Sequence, residues 1–529
     1  MLSWLVIIPI LIAAFFYIIP FKNAGKVIAI AAQAFLTCCA FYIFFACKEG
    51  EIVTRVGNYS GVLGIILKAD TLSSIFIMLT SFIFLIVAVY SFNENVNRLF
   101  WFLLFIWEGL LIGVFLSCDL FNIFVLVEVM TVVASVMIMF KRDNRSMYDG
   151  IVYLMVNVVA IQFYLFGLGY LYKLTGVLDM NAVAEAAKSL DKASLILPYA
   201  LIMTSVSLKC ALMPLFSWLP KAHGTPGAPP AVSAILSGLH IKSGIYLFIR
   251  FQSVFQQISI PDFFLIAGII TGIAGFILAL SQSDIKLILA YHTISQIGMI
   301  MIGLNVADIH SYTGSVYHII NHAIFKSALF LSAGIIIKIY GTRDIYKIKG
   351  VLRRIPYVGT ATIMAILGIT GAPFFNGSIS KYFIMSGANW VVSGAVILIN
   401  LGTVISFIKY SSMLFGRYEG GSNAIKIDNF QRAAVLILGG LCFAGGIFGE
   451  QFIKFLFNVS VSVDATEYFQ KAVLFAFSVI AGYLIYKYVV KNNSLFKRIR
   501  EIELSFRGIC VSLGAFFAIF LIAVKFFAV

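Results

Sequence analysis

Apolar runs as long as a lipid bilayer is thick recur along the whole chain, and they limit its fold more than any other feature. A backbone in lipid must satisfy its own hydrogen bonds, and runs of about 20 residues predict helices rather than the shorter alternating strands of a barrel. Composition agrees, because 61% of the residues are hydrophobic and only 12% are charged. We predict an all-α polytopic membrane protein with about 16 transmembrane helices.

The apolar runs divide the chain into four predicted regions: N-terminal helices over 1–98, two repeats over 99–252 and 262–415, and C-terminal helices over 431–529. The runs lie at 1–21, 26–47, 70–92, 99–117, 119–140, 148–172, 195–218, 228–250, 262–281, 285–304, 313–337, 357–387, 390–415, 431–449, 469–490 and 507–528.

Basic residues between the runs predict the orientation in the membrane. They concentrate in the loops that follow odd-numbered runs, and Lys- and Arg-rich loops stay in the cytoplasm. We therefore expect a multi-pass protein of the cell membrane with both termini external. The net charge of +15 is explained by this topology, and we expect no nucleic-acid partner.

The cysteines and glycines give no sign of a cofactor. The seven cysteines mostly lie inside apolar runs and form no C-x-x-C pattern. No glycine-rich phosphate loop follows a strand. We expect no cofactor, no metal site and no redox centre in this chain, so any electron transfer would belong to another subunit.

Ionisable residues inside the apolar runs are the first functional candidates, because a charge near the bilayer centre is costly and is rarely kept without a role. They are Glu128, Lys209, Lys242, Lys326 and Lys381. Lys209 and Lys242 lie roughly ten residues from the nearer end of their runs, which disfavours snorkelling to the headgroups. A carboxylate close to a buried lysine would stabilise the charged ammonium. If the carboxylate were distant, the lysine would release its proton more easily. Snorkelling stays open for Lys409.

A second candidate is a stripe of three residues spaced four apart, His318, His322 and Lys326. This spacing places them on one helical face, with a rise of about 6 Å per step. Imidazoles donate and accept protons near neutral pH, so the stripe favours a hydrated proton path. The role of His240 stays open, because a single membrane histidine more often bonds a neighbouring helix.

Two interruptions mark the third feature: Met213-Pro214 in the seventh run and Gly371-Ala372-Pro373 in the twelfth. Proline removes a helical hydrogen bond, and free backbone at membrane depth is tolerated only inside protein or along a cavity. Paired broken helices are typical of transporters built from inverted repeats. The breaks lie about five helices apart, and an odd offset predicts repeats of opposite orientation.

Several motifs occur in a fixed order and together resemble one family: the antiporter-like membrane subunits shared by respiratory complex I (NADH:quinone oxidoreductase), Mrp cation/proton antiporters and membrane-bound hydrogenases. The motifs are Asp119-Leu120-Phe121-Asn122 followed by Glu128; Lys209 through Pro214 to Trp218-Leu219-Pro220; Pro229-Pro230-Ala231 leading to Lys242-Ser243-Gly244-Ile245-Tyr246; Ser283-Asp284-Ile285-Lys286 with Ser295-Gln296-Ile297-Gly298; His318 through Asn321-His322 to Lys326; and the Pro373 break ending at Lys381.

The resemblance implies a proton path, with the functional glutamate at Glu128, the broken-helix lysine at Lys209, the connecting lysine at Lys242 and the exit-side group at Lys381. His318, His322 and Lys326 match the central relay. The sequence departs from the family pattern at His292, where a small hydroxyl residue is usual. The resemblance also implies partners, namely other membrane subunits of a hetero-oligomeric complex.

The residues are compatible with three functions. The first is the proton-pumping subunit of an NADH:quinone oxidoreductase- or hydrogenase-type complex with peripheral iron–sulfur subunits. The second is a subunit of a Mrp-type secondary Na⁺/H⁺ antiporter without a redox partner, and the third is a membrane subunit of an inorganic-carbon uptake complex. Protons are the expected cargo in the first two, and the sequence does not decide whether Na⁺ also passes through this chain.

Overall fold

The structure, a computed structural model, describes residues 2–18, 23–58, 64–417, 427–491, 493–500 and 502–528, and it is almost entirely helical. Its helices up to residue 254 are α1 (Leu2–Ile18), α2 (Asn23–Ala46), α3 (Thr71–Tyr90), α4 (Arg98–Leu116), α5 (Leu120–Ile138), α6 (Asn144–Thr175), α7 (Met180–Ala187), α8 (Lys192–Lys209), α9 (Trp218–Gly224), α10 (Pro230–Ile235) and α11 (Ile241–Val254). They continue with α12 (Pro261–Ser281), α13 (Ile285–Asn305), α14 (Ile309–Tyr340), α15 (Val351–Arg354), α16 (Pro356–Thr370), α17 (Asn376–Ile384), α18 (Trp390–Ser411), α19 (Asn429–Ile447), α20 (Gly449–Phe457), α21 (Ala465–Ile485), α22 (Ser494–Arg500) and α23 (Phe506–Phe527).

Short irregular pieces complete the fold. A π turn, Leu236–His240, joins α10 to α11 into one span, and a second π turn, Tyr486–Val490, extends α21. The strands β1 (Ile52–Arg55) and β2 (Ile66–Ala69) form an antiparallel hairpin that the apolar runs do not predict.

The prediction of an all-α polytopic membrane protein is confirmed. In the described residues, 13 helices are long and apolar enough to cross a membrane. The remaining predicted runs correspond to α1, which is shorter, and to the two interrupted segments, α8 and α16. Residues 1 and 19–21 of the first predicted run lie outside the described part of the chain.

The chain divides into two compact units. The first contains Met1–Trp218, Leu239–Ile260 and Ser505–Val529, and the second contains Leu219–Gly238 and Pro261–Leu504. In the first unit, α1 packs on α4, α2 on α3, and α6 on α8, which also contacts α11 and α23. In the second, α12 packs on α13, while α14 contacts α13, α16, α17 and α19.

One pattern of helix lengths and caps occurs twice. Helix α6 and helix α14 each have 32 residues. Their N-caps are Asp143 and Asp308, and their left-handed C-cap glycines are Gly176 and Gly341. The two aspartates lie as many residues apart as the two glycines do. The first residues of α5 and α13 are separated by that same stretch. An aspartate side chain satisfies free N–H groups of the first turn in each copy.

Candidate functional site

The first unit brings Glu128 and Lys209 together from two helices. Lys209 is buried at the end of α8, and Glu128 is half-buried on α5. The Lys209 ammonium donates to the Thr131 hydroxyl, 2.9 Å away and one turn beyond Glu128 on α5. It also interacts electrostatically with the Glu128 carboxylate. Lys209 is therefore hydrogen-bonded to Thr131 of α5 and lies within electrostatic reach of Glu128 on the same helix.

The position of Lys209 within its helix differs from the expectation. Lys209 is the last residue of α8 rather than a residue deep inside a longer helix. The helix ends ahead of Pro214, because proline lacks the N–H of the next turn and disfavours helical backbone at the residue before it. The indole N–H of Trp218 donates to the carbonyl of Leu208, which the ended helix leaves without its usual partner.

Helix α11 passes close to this lysine at a glycine. A Cβ on Gly244 would lie 2.8 Å from the backbone carbon of Lys209 and 3.0 Å from its Cβ. Only glycine permits this approach. Lys242, two residues earlier on the same helix, is also buried. The Lys242-Ser243-Gly244 segment therefore combines a buried cation with close helix packing.

His240 joins the same network. Its Nε2 lies 2.8 Å from the hydroxyl of Tyr153, and its Nδ1 accepts the indole N–H of Trp107 at 3.3 Å. Tyr153 in turn bonds Thr131, the partner of Lys209. Four buried side chains therefore connect the π turn to Lys209: His240, Tyr153, Thr131 and Lys209.

The direction of these hydrogen bonds follows from the donor groups. An indole nitrogen only donates, so Nδ1 of His240 must accept and the proton of the neutral ring lies on Nε2. Nε2 then donates to Tyr153, and Tyr153 donates to Thr131. Thr131 gives its own proton to the carbonyl of Val127 at 2.8 Å, so its hydroxyl makes every bond that it can. The chain of bonds holds Lys209 in place and offers no vacant acceptor to its proton.

The second unit holds the predicted stripe of α14. His318, His322 and Lys326 are all fully buried. The ring of His318 bonds the Ser380 hydroxyl of α17 at 2.8 Å and the Gln296 side-chain oxygen of α13 at 3.1 Å. The Lys326 ammonium donates to the Leu289 carbonyl of α13 at 2.6 Å. The stripe therefore faces α13 and α17.

Lys381 lies beside the second helix break, as its sequence position predicts. Its ammonium donates to the carbonyl of Ile369 at 2.6 Å and to the Asn400 side chain at 2.7 Å. Gly371 ends α16 in the left-handed region, at φ +76°, and a Cβ there would lie 3.1 Å from Cδ of Lys381. A cavity of about 80 Å³ reaches this lysine and is lined by residues of α17, α18 and α21. The break, the glycine and the lysine thus form one site with room for water.

His292, where the sequence departs from the family, is buried in the second unit without a hydrogen bond in the described residues. Both of its ring nitrogens lack a partner, and its ring packs against Phe407 at 4.8 Å. It interacts electrostatically with Lys326, Lys409 and Lys381. Buried polar groups almost always have a hydrogen-bond partner, so a buried imidazole with two unbonded nitrogens is unusual. This one lies within electrostatic reach of three lysines.

Lys409 is buried and fully hydrogen-bonded, so its side chain does not snorkel to the headgroups. Its ammonium is buried and donates to the carbonyls of Ala279, Leu280 and Gln282, at 3.1, 2.7 and 2.6 Å. These are free carbonyls at the C-terminal end of α12, where a cation also stabilises the helix dipole. All three N–H donors of Lys409 are therefore used, and we assign this residue to stabilising the helix end.

Lys409→Ala should lower stability more than ion movement. The substitution leaves three carbonyls without their charged donor, and we expect a loss of about 2–3 kcal/mol in the free energy of unfolding. Ion movement per assembled molecule should stay within about threefold of wild type, because Lys409 bonds a helix end and donates to no group of the proposed proton path. A change of that size corresponds to less than one hydrogen bond. Thermal unfolding and transport in proteoliposomes measure the two quantities, and abolished transport with unchanged stability would contradict the assignment.

Several of these contacts cannot be found from the sequence. Thr131, Tyr153, Gln296 and Asn400 are uncharged residues of apolar runs, and nothing in their spacing connects them to a lysine on another helix. His240 is conspicuous in its run, but its partners come from α4 and α6. Only the packed structure shows which helices meet.

Curated relatives match most of the chain. A Na⁺/H⁺ antiporter subunit of Alkalihalophilus pseudofirmus is 31% identical over 377 residues, which cover 68% of this chain and 76% of the relative. The putative antiporter subunit mnhD2 of Staphylococcus saprophyticus is 28% identical over 482 residues, covering 87% of this chain and 95% of the relative.

Solved structures share the fold. A chain of the Mrp complex from Dietzia sp. superposes with a TM-score of 0.79 at 22% identity, covering 89% of this chain and 99% of that one. A chain of respiratory complex I from Thermus thermophilus gives 0.76 at 19% identity, covering 90% and 100%. The sequence model of the NADH:quinone oxidoreductase/Mrp antiporter transmembrane family matches residues 117–408. The chain therefore belongs to the NADH:quinone oxidoreductase/Mrp antiporter family.

Proposed function

We propose that this chain is the proton-translocating, antiporter-like membrane subunit of a multi-subunit complex. The observation that carries the proposal is the number of donors that each buried lysine leaves unused. A lysine ammonium has three donors. In the described residues Lys209 and Lys326 each use one and Lys381 uses two, whereas Lys409 uses all three. Lysines with spare donors beside titratable groups can exchange protons with water or a neighbour.

The proposed roles follow from the neighbours of each group. Glu128 holds the charge of Lys209 in the first unit, and Lys242 is the next buried lysine of that unit along the chain. In the second unit, His318, His322 and Lys326 form the relay on α14, and Lys381 exchanges protons with the cavity beside α21. His292 lies within electrostatic reach of both Lys326 and Lys381, and its two unbonded nitrogens suit a group that accepts and releases protons.

A Mrp-type cation/proton antiporter is the complex that the relatives favour. The two curated relatives described above are both named as antiporter subunits, one of them for Na⁺/H⁺ exchange. The alternative is a redox-driven pump with iron–sulfur subunits, since chains of complex I and of a sulfane sulfur reductase share the fold. No observation favours inorganic-carbon uptake.

The membrane arrangement is part of the proposal. The protein lies in the cell membrane, with the loops after odd-numbered runs in the cytoplasm and both termini outside. The regions 99–252 and 262–415 are repeats, and they insert with opposite orientation because an odd number of crossings separates them. The common offset between α5 and α13 and between α6 and α14 supports the repeats.

Purification of the tagged chain in mild detergent, followed by mass spectrometry and transport assays, tests the function. We expect small membrane proteins to co-purify, and we expect the reconstituted complex to exchange Na⁺ for H⁺ without an electron donor. Iron–sulfur partners with donor-dependent proton movement would assign the chain to a redox pump. A complex that moves no protons under either condition would refute the proposal.

The hydrogen bonds of His240 give a separate prediction. His240→Leu removes the N–H that Tyr153 accepts, which frees the phenol and loosens Thr131 and Lys209. We expect proton movement to fall about fivefold, corresponding to a hydrogen bond of about 1 kcal/mol.

His240→Gln provides the matched control, because its amide can accept from Trp107 and donate to Tyr153. It should restore most of the activity, and Tyr153→Phe should reproduce the loss. Equal activity in the Leu and Gln variants would show that His240 only fills space.

A further inference from the structure

Helix α4 carries a buried carboxyl that the proton path does not use. Glu108 is the eleventh of the 19 residues of α4, and it is fully buried. A carboxyl in the middle of a membrane helix is costly and is by default a functional candidate. Glu108 therefore requires a role of its own.

Two neighbouring helices, α2 and α3, contact this carboxyl. The Gln33 amide of α2 donates to Oε1 of Glu108 at 2.8 Å, and Ser81 of α3 faces the same carboxyl. The carbonyl of Ser81 accepts the Thr37 hydroxyl at 3.1 Å and the Gln33 amide at 3.4 Å. Gln33, Thr37 and Ser81 are all buried. The surroundings of Glu108 are therefore rich in neutral oxygen atoms.

Within the described residues, Oε2 of Glu108 and Oε1 of Gln33 lack a hydrogen bond of normal geometry. The Ser81 hydroxyl bonds this carboxyl, and its oxygen keeps lone pairs that could bind a cation. Buried oxygen atoms are normally satisfied, and exceptions commonly indicate a water or an ion. Oxygen ligands of this kind are those that hard cations prefer.

The charges around Glu108 determine which cation fits. Helices α1 and α3 contain no Asp, Glu, Lys, Arg or His, and the only ionisable cation of α2 is Lys26, which donates to the carbonyl of Glu94. The side chains that bond the Glu108 carboxyl are those of Gln33 and Ser81, and no positively charged side chain of the described residues interacts with it. The Asp, Glu, Lys and Arg side chains on the other elements packed against α4 are Glu128, Lys242, Arg250 and Lys68. The neutral titratable groups beside α4 include Tyr90 of α3, Tyr246 of α11 and His240, which bonds Trp107. One carboxylate neutralises one monovalent ion, whereas a divalent ion would leave an uncompensated charge in the membrane interior.

We propose that Glu108, Gln33 and Ser81 form a binding site for a single Na⁺ ion, which competes with a proton for the carboxyl. With Na⁺ bound, Oε2 of Glu108, Oε1 of Gln33 and the hydroxyl oxygen of Ser81 become ligands. With Na⁺ absent, Glu108 holds a proton and stays neutral. The site lies apart from the Glu128–Lys209 pair along the chain. It rests on the proposed function and places the Na⁺ site of the expected Na⁺/H⁺ exchange within this chain.

Infrared difference spectroscopy on the purified full chain in its complex tests the site. Changing the buffer from choline chloride to NaCl at constant pH should remove a protonated-carboxyl band. Glu108→Gln should lack this change. Gln33→Leu and Ser81→Ala, which keep the carboxyl, should require at least about tenfold and about threefold more NaCl, in line with one lost oxygen ligand each.

Lys209→Ala separates this proposal from the proposed function, because it should stop proton movement and leave the Na⁺-induced change intact. A carboxyl band that persists at saturating NaCl would identify Glu108 as a permanently protonated structural acid and overturn the site. The site is equally overturned if the Na⁺-induced change is unaltered in Glu108→Gln.

Discussion

Replacing Lys209 by alanine should abolish coupled ion movement while the protein still inserts and assembles. Lys209 donates one of its three protons to Thr131 and has the Glu128 carboxylate nearby, so its ammonium is held without being fully bonded. Removing a group that transfers protons typically reduces a rate by about 10²-fold or more. The measurement is proton movement in proteoliposomes, divided by the amount of assembled complex.

Glu128→Ala should have a comparable effect for a different reason. The alanine variant keeps the lysine but leaves its charge without an opposite charge, which penalises the protonated state in a buried position. Lys409→Ala is the control, since it removes a lysine that is equally buried but bonded only to the end of α12. Near-normal proton movement in either Lys209→Ala or Glu128→Ala would eliminate the mechanism proposed here.

The second large effect is expected at Lys381. Lys381→Met keeps the unbranched side chain, shortened by its terminal atom, and removes its charge and its donors to Ile369 and Asn400. Proton movement should again fall by about 10²-fold, because the cavity reaches this lysine beside the helix break and can exchange its proton.

Gly371→Ala keeps Lys381 and displaces it. The left-handed backbone at φ +76° disfavours alanine by about 1–2 kcal/mol, and the new Cβ would lie 3.4 Å from the Lys381 nitrogen. We expect an intermediate loss of about fivefold to tenfold, from a strain of about 1–1.4 kcal/mol at the lysine. Gly394→Ala on α18 is the matched control, because no atom lies within 4 Å of its added Cβ. Equal transport in the Gly371 and Gly394 variants would show that the position of Lys381 does not matter.

Much of the fold is readable from the sequence because lipid imposes a simple rule on length and polarity. The apolar runs correspond to helices, and the interruptions at Pro214 and Pro373 correspond to real breaks between α8 and α9 and between α16 and α17. The prediction for Lys209 was wrong about the helix end, because a proline acts on the residues before it and the break begins earlier than the proline.

The candidate site is only partly readable. The lysines are conspicuous in an apolar run, but their partners depend on how the helices pack. Lys409 bonds the carbonyls at the end of another helix, whereas Lys209 interacts with a titratable carboxyl. Glu108 satisfies the same criterion as Glu128, an acid inside an apolar run, and the sequence prediction omits it without a physical reason. The partners of His240 and His292 lie on other helices, which no local pattern can identify.

The offset between the two copies also relates individual side chains. Thr131 and Tyr153 of the first copy correspond to Gln296 and His318 of the second, and each pair is joined by a hydrogen bond. Asn157 corresponds in the same way to His322. Duplication of an ancestral segment would have kept the place where two helices touch and changed the chemistry there, from a phenol that keeps its proton at neutral pH to an imidazole that exchanges it. Swapping these residues between the copies would relocate the exchangeable proton and leave the contact itself in place.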